Sequence, residues 1–296
     1  MTFLWSQRLR LSKVAALITA ILLGNRCLSA DHPAEKLLSR DNLVAWCIVP
    51  FDASQRSPGQ RATMVKGLGI SRIAYDWRAR HVAEFEDEIL QYKKHGLEFF
   101  AFWSWHDSFE PLIKKHDIHP QIWTMLPNPP ATDQAERVRE TAEGLLWLVE
   151  KTAALDCQLA LYNHGGWGGE PINMAAVCEY LRENHNAGHV GIVYNFHHGH
   201  EHISEFEFHF KRMRPYLLCV NINGMAEADV VRGGRDKILT VGKGRHETTM
   251  LQIVLASGYG GPIGILDHQS NRDSEEVLLE NLAGLEAVRT KLTRSE

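Results

Sequence analysis

The chain has 296 residues, 44% hydrophobic and 23% charged, enough apolar material for a sizeable core and without disordered or collagen-like bias. A formal charge of −4 gives no electrostatic reason to expect nucleic acid or an anionic membrane surface as a partner. Length leaves one large domain or two small ones open, because barrels of about 250 residues fold as one unit. The unusual figure is 16 histidines, several of them bunched, a residue suited to proton transfer and metal ligation.

The N-terminus reads as a targeting segment. Arg8, Arg10 and Lys13 precede an apolar run at 14–24, and Ser29 and Ala30 offer small residues to a signal peptidase. Residues 1–30 are therefore expected to be a signal peptide, and the mature chain, periplasmic or extracellular, to begin near Asp31. The apolar run is about eleven residues, against the roughly 20 that span a bilayer as a helix, so no stable membrane span is expected after cleavage. Asn25 and Arg26 before Cys27 argue against lipidation. Cys47, Cys157, Cys178 and Cys219 lie in apolar strand or helix patterns and are expected to be buried free thiols.

From residue 43 onward, short β-rich runs alternate with amphipathic helical stretches. Strands are predicted at 43–51, 70–77, 97–105, 121–126, 158–162, 190–195, 217–222 and 261–267, with a short extra segment at 238–241. Helices are predicted at 60–67, 85–95, 132–155, 171–185, 203–213, 247–257 and 274–292. Gly96 stops the second helix, Pro171 takes a favoured first-turn position, and Glu275 and Glu276 place acids at the start of the last. Eight strands, each followed by a helix or helical excursion, predict a single (β/α)8 barrel over 31–296. An open doubly wound sheet fits less well, because Pro50, Phe51 and Asp52 stand where a Gly-rich phosphate turn would follow the first strand.

In such a barrel the residues just after each strand converge on one cavity. The third strand ends in Trp103-Ser104-Trp105-His106-Asp107 and the fifth in Asn163-His164-Gly165-Gly166-Trp167-Gly168-Gly169. The sixth ends in Asn195-Phe196-His197-His198-Gly199-His200-Glu201-His202, the seventh in Asn221-Ile222-Asn223-Gly224, and the eighth in Asp267-His268-Gln269. Imidazoles with carboxylate or amide oxygens can ligate a divalent metal; equally, the histidines can form a solvated loop with hydrogen-bonding roles. Trp103, Trp105 and Trp167 could stack on a sugar ring or belong to the core. His81, His95, His116 and His185 are expected at the surface or at helix ends. The glycines after the fifth strand, and Gly242-Lys243-Gly244, allow either close backbone approach to a ligand or tight turns; Lys243 could hold an enolate oxygen or an anion.

In the order and spacing of Phe85-Glu86-Asp87-Glu88, Lys93-Lys94-His95-Gly96-Leu97-Glu98, Tyr162-Asn163-His164-Gly165-Gly166, Asn195 to His198 and Gly242-Lys243-Gly244, the chain resembles the xylose-isomerase-like barrel superfamily of sugar isomerases and epimerases over residues 43–292. The resemblance implies a metal site with a carboxylate after the fifth strand, an Asp and a His after the sixth, a His after the seventh and a Glu after the eighth. Tyr162, Asn195, Asn221 and Asp267 stand at or near these places, and His198 alone matches well. The implied metal set is thus His198, Asn195, Asp267 and His268 with Mn, Mg, Co or Zn. His164, His197, His200 and Lys243 are the candidates for catalysis, and Asn163, Trp103, Trp105, Trp167, Asn221 and Asn223 for holding a small carbohydrate. The loss of the carboxylate pair puts standard epimerase acid/base chemistry in doubt.

Some exported members of the superfamily resemble lyases that remove a proton next to a 3-keto group of an oxidised glycoside. The expected function is accordingly proton abstraction α to a carbonyl of a sugar or 3-keto-glycoside, ending in isomerisation, epimerisation or β-elimination and assisted by metal. A sugar- or metal-binding barrel with a degenerate site is the alternative. A metal-dependent phosphodiesterase fits poorly with acidic charge and export.

Overall fold

A computed structural model describes residues 32–232 and 237–294; the predicted signal peptide lies outside them. From Ala34 onward the chain forms one compact unit. Eight parallel strands close a barrel in sequential order: β1 (Leu43–Trp46), β2 (Arg72–Asp76), β3 (Glu98–Trp103), β4 (Gln121–Met125), β5 (Leu159–Tyr162), β6 (Val190–Asn195), β7 (Leu217–Ile222) and β8 (Ile263–Leu266). Strands covered on both faces bury nearly every side chain, which is why they read as continuous apolar runs. Among the described residues no helix is long and apolar enough to cross a membrane, and Cys47, Cys157, Cys178 and Cys219 are buried and free.

The connecting helices follow local signals. Pro58–Gly67 starts on a proline, and Gln60 Oε1 accepts the Ser57 backbone N–H at 3.0 Å. Phe85–His95 carries acids in its first turn and bases in its last, and stops at Gly96, whose φ of +64 suits glycine. Two expectations are corrected here. The long helix at 132–155 is broken into Gln134–Gly144 and Leu146–Ala154, the break falling at Gly144, a weak helix former. The extra strand at 238–241 shrinks to one bridge, Gly224 to Leu239.

Three local breaks in the strand alternation decide what faces the barrel axis. In β3 the pairing with β2 jumps from Phe99 to Ala101, so both Phe100 and Ala101 pack inside and Trp103 follows them inward. In β7 the pairing with β6 jumps from Leu217 to Cys219, which turns Cys219 and Asn221 inward. Cys47 has φ +62 and follows Trp46 into the interior cluster. Each extra residue reverses which face later side chains occupy.

The interior pairs large with small. Trp46 and Trp123 meet at 4.7 Å in an edge-on contact, opposite Ala74, Ala101 and Ala160. Toward the C-terminal end, three asparagines from adjacent strands form a buried ladder. Asn163 Oδ1 accepts from the Asn195 backbone N–H (2.7 Å) and Nδ2 (2.9 Å), and Asn195 Oδ1 accepts from Asn221 Nδ2 at 2.7 Å. Gly264 on β8 leaves room for Asn221, because a Cβ there would run into the amide oxygen. Gly264→Ala should therefore cost about 1–3 kcal/mol by overpacking, read as a lower urea midpoint; an unchanged midpoint would contradict the close packing of Asn221 on β8.

Candidate active site

The C-terminal strand ends assemble a row of rings. β5 is followed by His164, β6 by His197 and His198 in a short 3-10 turn, and β8 by Asp267 and His268. His164 and His198 lie 4.4 Å apart between ring centroids, His198 and His197 3.8 Å, and His197 and His268 5.9 Å; Phe51 packs against His268 at 3.7 Å with the rings tilted by 44°. His164 is exposed, His198 and His268 are half-buried, and His197 is buried. Trp46, Trp103 and Tyr162 make the floor, with Trp103 to Tyr162 at 4.3 Å and Tyr162 to His198 at 5.8 Å.

Burial sets the charge state of this row. Loss of water pushes His198 down to about 2 and His268 to about 4, and holds His197 well below the usual range; neighbouring imidazoles and the cations Arg78 and Lys237 add to it. These rings are therefore neutral at physiological pH, each with one N–H and one lone pair. Nδ1 of His197 and Nδ1 of His268 have no partner among the described residues. Desolvation acts with opposite sign on Asp267, pushed up to about 7; Ser274 Oγ donates to its Oδ2 and its Oδ1 is left unbonded.

His164, His197, His198, His268, Asp267 and Trp103 thus meet at the mouth. The other predicted residues are engaged elsewhere. Asn163, Asn195 and Asn221 spend their amides on the buried ladder, so Asn195 Oδ1 is not free for a metal. Asn223 is buried, donates to the Gly224 carbonyl and keeps Oδ1 unbonded. His200 turns its Nδ1 to the His197 carbonyl at 3.2 Å and borders a separate cleft of about 720 Å³ with Glu227 and His246. Trp105 donates to Asp107 under Lys151, and Trp167 donates to Gln134 under the Arg137 guanidinium, so neither tryptophan belongs to the floor.

Lys243 is 61% exposed and paired with Glu280 at 2.7 Å. Its glycine loop does bind an anion, but the anion is internal: the buried Glu247 carboxylate accepts from the amides of Met225 (3.0 Å), Gly242 (3.1 Å) and Gly244 (2.9 Å). The cations that bear on the imidazoles are Lys237 and Arg78, the latter 5.4 Å over Phe51. Arg78 was legible in principle, because it lies two residues beyond β2 and the strand-end rule applies to every strand. His81, expected at the surface or at a helix end, is buried near the start of the 3-10 helix Ala79–Glu84, where its Nδ1 accepts the Arg78 backbone N–H at 2.9 Å. Hollows between outer helices, such as the 480 Å³ groove lined by Ile172, Phe208 and Tyr216, gather none of these groups; chemistry rather than volume picks out the mouth.

A divalent metal needs donors aimed at one point, at about 2.0–2.2 Å for zinc. Among the described residues no group of three or more His, Cys, Asp or Glu is so arranged, and Asn195 is committed to the ladder. The residues as placed do not fit the expected metal. The depressed imidazoles have a measurable consequence. Unfolded histidines take up protons below pH 6.5 that folded His268 refuses until about 4 and His198 until about 2, so stability falls as pH drops through that window. His198→Gln and His268→Gln should each flatten the fall of Tm between pH 6.5 and 4.5; an unchanged slope would place these rings in solvent.

No family model matches the chain, and no curated protein matches it in sequence. Solved structures do. A 3-keto-D-glucoside 4-epimerase, YcjR, from E. coli superposes with a TM-score of 0.60 at 14% identity, covering 84% of this chain and 99% of that one. A D-psicose 3-epimerase, solved in the presence of D-fructose, gives 0.57 at 15% identity over 85% and 99%. An IOLI protein with a binding zinc atom gives 0.63 at 11% identity over 85% and 99%. Closed barrel, helical layer and coverage of 84–85% of this chain together show that it shares the (β/α)8 barrel fold of these structures.

Proposed function

We propose that this chain is an exported carbohydrate-active enzyme that moves a proton at the carbon next to a carbonyl of a sugar or keto-glycoside. The observation that carries the reading is the convergence of four imidazoles, three of them held neutral, on one barrel mouth over an aromatic floor. The epimerases of the same fold, whose names specify a 3-keto-D-glucoside and D-psicose, support the substrate class. The basic and apolar segments of 1–24 support export.

His164 is the exposed ring of the row and takes the carbon-bound proton as general base. A neutral imidazole is also a hydrogen-bond donor, so His198 and His268 supply N–H groups to the oxygen on which enolate charge develops. Trp103 and Tyr162 offer ring faces to the sugar. Return of the proton from His164 to the neighbouring carbon, with loss of the proton on that enediol's other oxygen, completes an isomerisation; return to the original carbon after the enediol has turned its other face to the ring gives an epimerisation. Loss of a β-oxygen instead gives elimination, the leaving oxygen taking the proton.

One observation favours a second reading, a sugar-binding barrel without turnover: Tyr162 and Asn195 end β5 and β6 where the resemblance implies carboxylates, and the Asn195 amide is spent on the buried ladder. Incubation of the mature protein with 3-keto-glycosides and free ketoses, with and without chelator, separates the two. Turnover is expected in both conditions, and His164→Ala should lower kcat by about 10²–10⁴-fold. Sugar binding with no turnover would establish the second reading, and turnover lost on chelation and restored by divalent metal would overturn the side-chain mechanism.

A further inference from the structure

Beneath the imidazole row lies a set of titratable groups that the reaction above leaves unused. β1 sits between β2 and β8 in the barrel and is followed at once by Cys47, a buried non-glycine residue with φ +62. Asp76 closes β2 on one side and Asp267 follows β8 on the other, and both carboxyls bear on the Cys47 thiol. Asp76 is 1% exposed, and neither of its oxygens makes a hydrogen bond within normal geometry. Its own amide, the Val49 amide and the Cys47 thiol lie near without closing one. The charged and titratable groups that face it are Cys47 on β1, Arg78 beyond β2, Arg61 on the helix Pro58–Gly67 and the neighbouring phenols Tyr75 on β2 and Tyr162 on β5. Arg61 is committed to Glu88, and Arg78 forms no ion pair with Asp76.

A carboxyl stripped of water and left without donors is costly unless it is neutral, and proteins keep such groups chiefly where chemistry uses them. We propose that Asp76 is the proton store of this site, supplying through the Cys47 thiol the proton that the substrate carbonyl oxygen takes up. The proposal rests on the proton-transfer reading above. Sulfur gives its proton to the oxygen as Asp76 gives its own to sulfur, leaving a carboxylate beneath the mouth while His164 holds the carbon-derived proton. Collapse of the enediol returns a proton to sulfur and one from sulfur to Asp76, from the same oxygen in an epimerisation or elimination and from the neighbouring hydroxyl in an isomerisation, so the chain ends as it began. Burial supports the assignment, pushing the Asp76 carboxyl up to about 8 and the thiol well above its usual range. Asp76 touches no substrate in this scheme and acts through Cys47.

Asp76→Asn keeps the shape and removes the acid. An aspartate with an unfolded pKa of about 3.9 and a folded one of about 8 keeps in the folded state a proton the unfolded chain has released. Wild-type stability therefore falls as pH rises between those values, and the variant lacks that fall. The Tm advantage of Asp76→Asn over wild type should grow from pH 4 to pH 8. Its kcat should drop at least about 10-fold, and the wild type's loss of activity above about pH 8 should disappear with it. Cys47→Ala should lower kcat likewise. A Tm difference flat with pH, full activity in Asp76→Asn, or full activity in Cys47→Ala each overturns the proposal while leaving the His164 mechanism standing. A wild type inert toward every keto-sugar, with the Tm slope present, sinks the proton-transfer reading and the acid role together.

Discussion

The structure depends on one constraint, the parity of strands in a closed parallel barrel. Each strand sends alternate side chains to the axis and to the helices, so a single extra residue exchanges the two sets. The irregularities at Phe100 and Leu218 and the left-handed Cys47 set the face that later side chains occupy, bringing Trp103, Asn221 and Cys47 into the interior. Without them β3 and β7 would present different residues to the mouth. The floor of Trp46, Trp103 and Tyr162 and the asparagine ladder are both products of that registration.

Inside the mouth, burial does the electrostatic tuning. The same loss of water that keeps His197, His198 and His268 unprotonated keeps the Asp76 and Asp267 carboxyls toward their protonated forms. Neutral imidazoles and proton-holding carboxyls then coexist in one mouth near neutral pH, a combination that water would not sustain. The unbonded polar atoms of Asp76, Asp267, His197, His268 and Asn223 mark how much hydrogen bonding the fold leaves unused here.

Several residues with the chemistry of a ligand site serve the protein itself. The glycine loop at 242–244 wraps the Glu247 carboxylate, and Gly168 donates to the Asn128 side chain at 3.1 Å. The Trp167 ring lies under Arg137, and Lys243 is tied to Glu280. Motifs of this kind state a donor, an acceptor or a ring face; whether its partner is a substrate or another part of the chain is settled by packing.

The sequence by itself determined the barrel. Eight apolar runs at regular spacing, each followed by a helix start or stop such as Pro171 or Gly96, leave few other ways to bury both faces of the strands. It also pointed to the ends of β5, β6 and β8, because strand ends of a barrel converge whatever their residues, and His164, His197, His198 and His268 do meet there. Only the tertiary structure decided that Asn163, Asn195 and Asn221 bond to one another, that His200 faces a separate cleft, and that Asp76 and Cys47 are buried together beneath the mouth. Those outcomes turn on register shifts, a positive φ and side-chain contacts between residues tens of positions apart, which local periodicity does not encode.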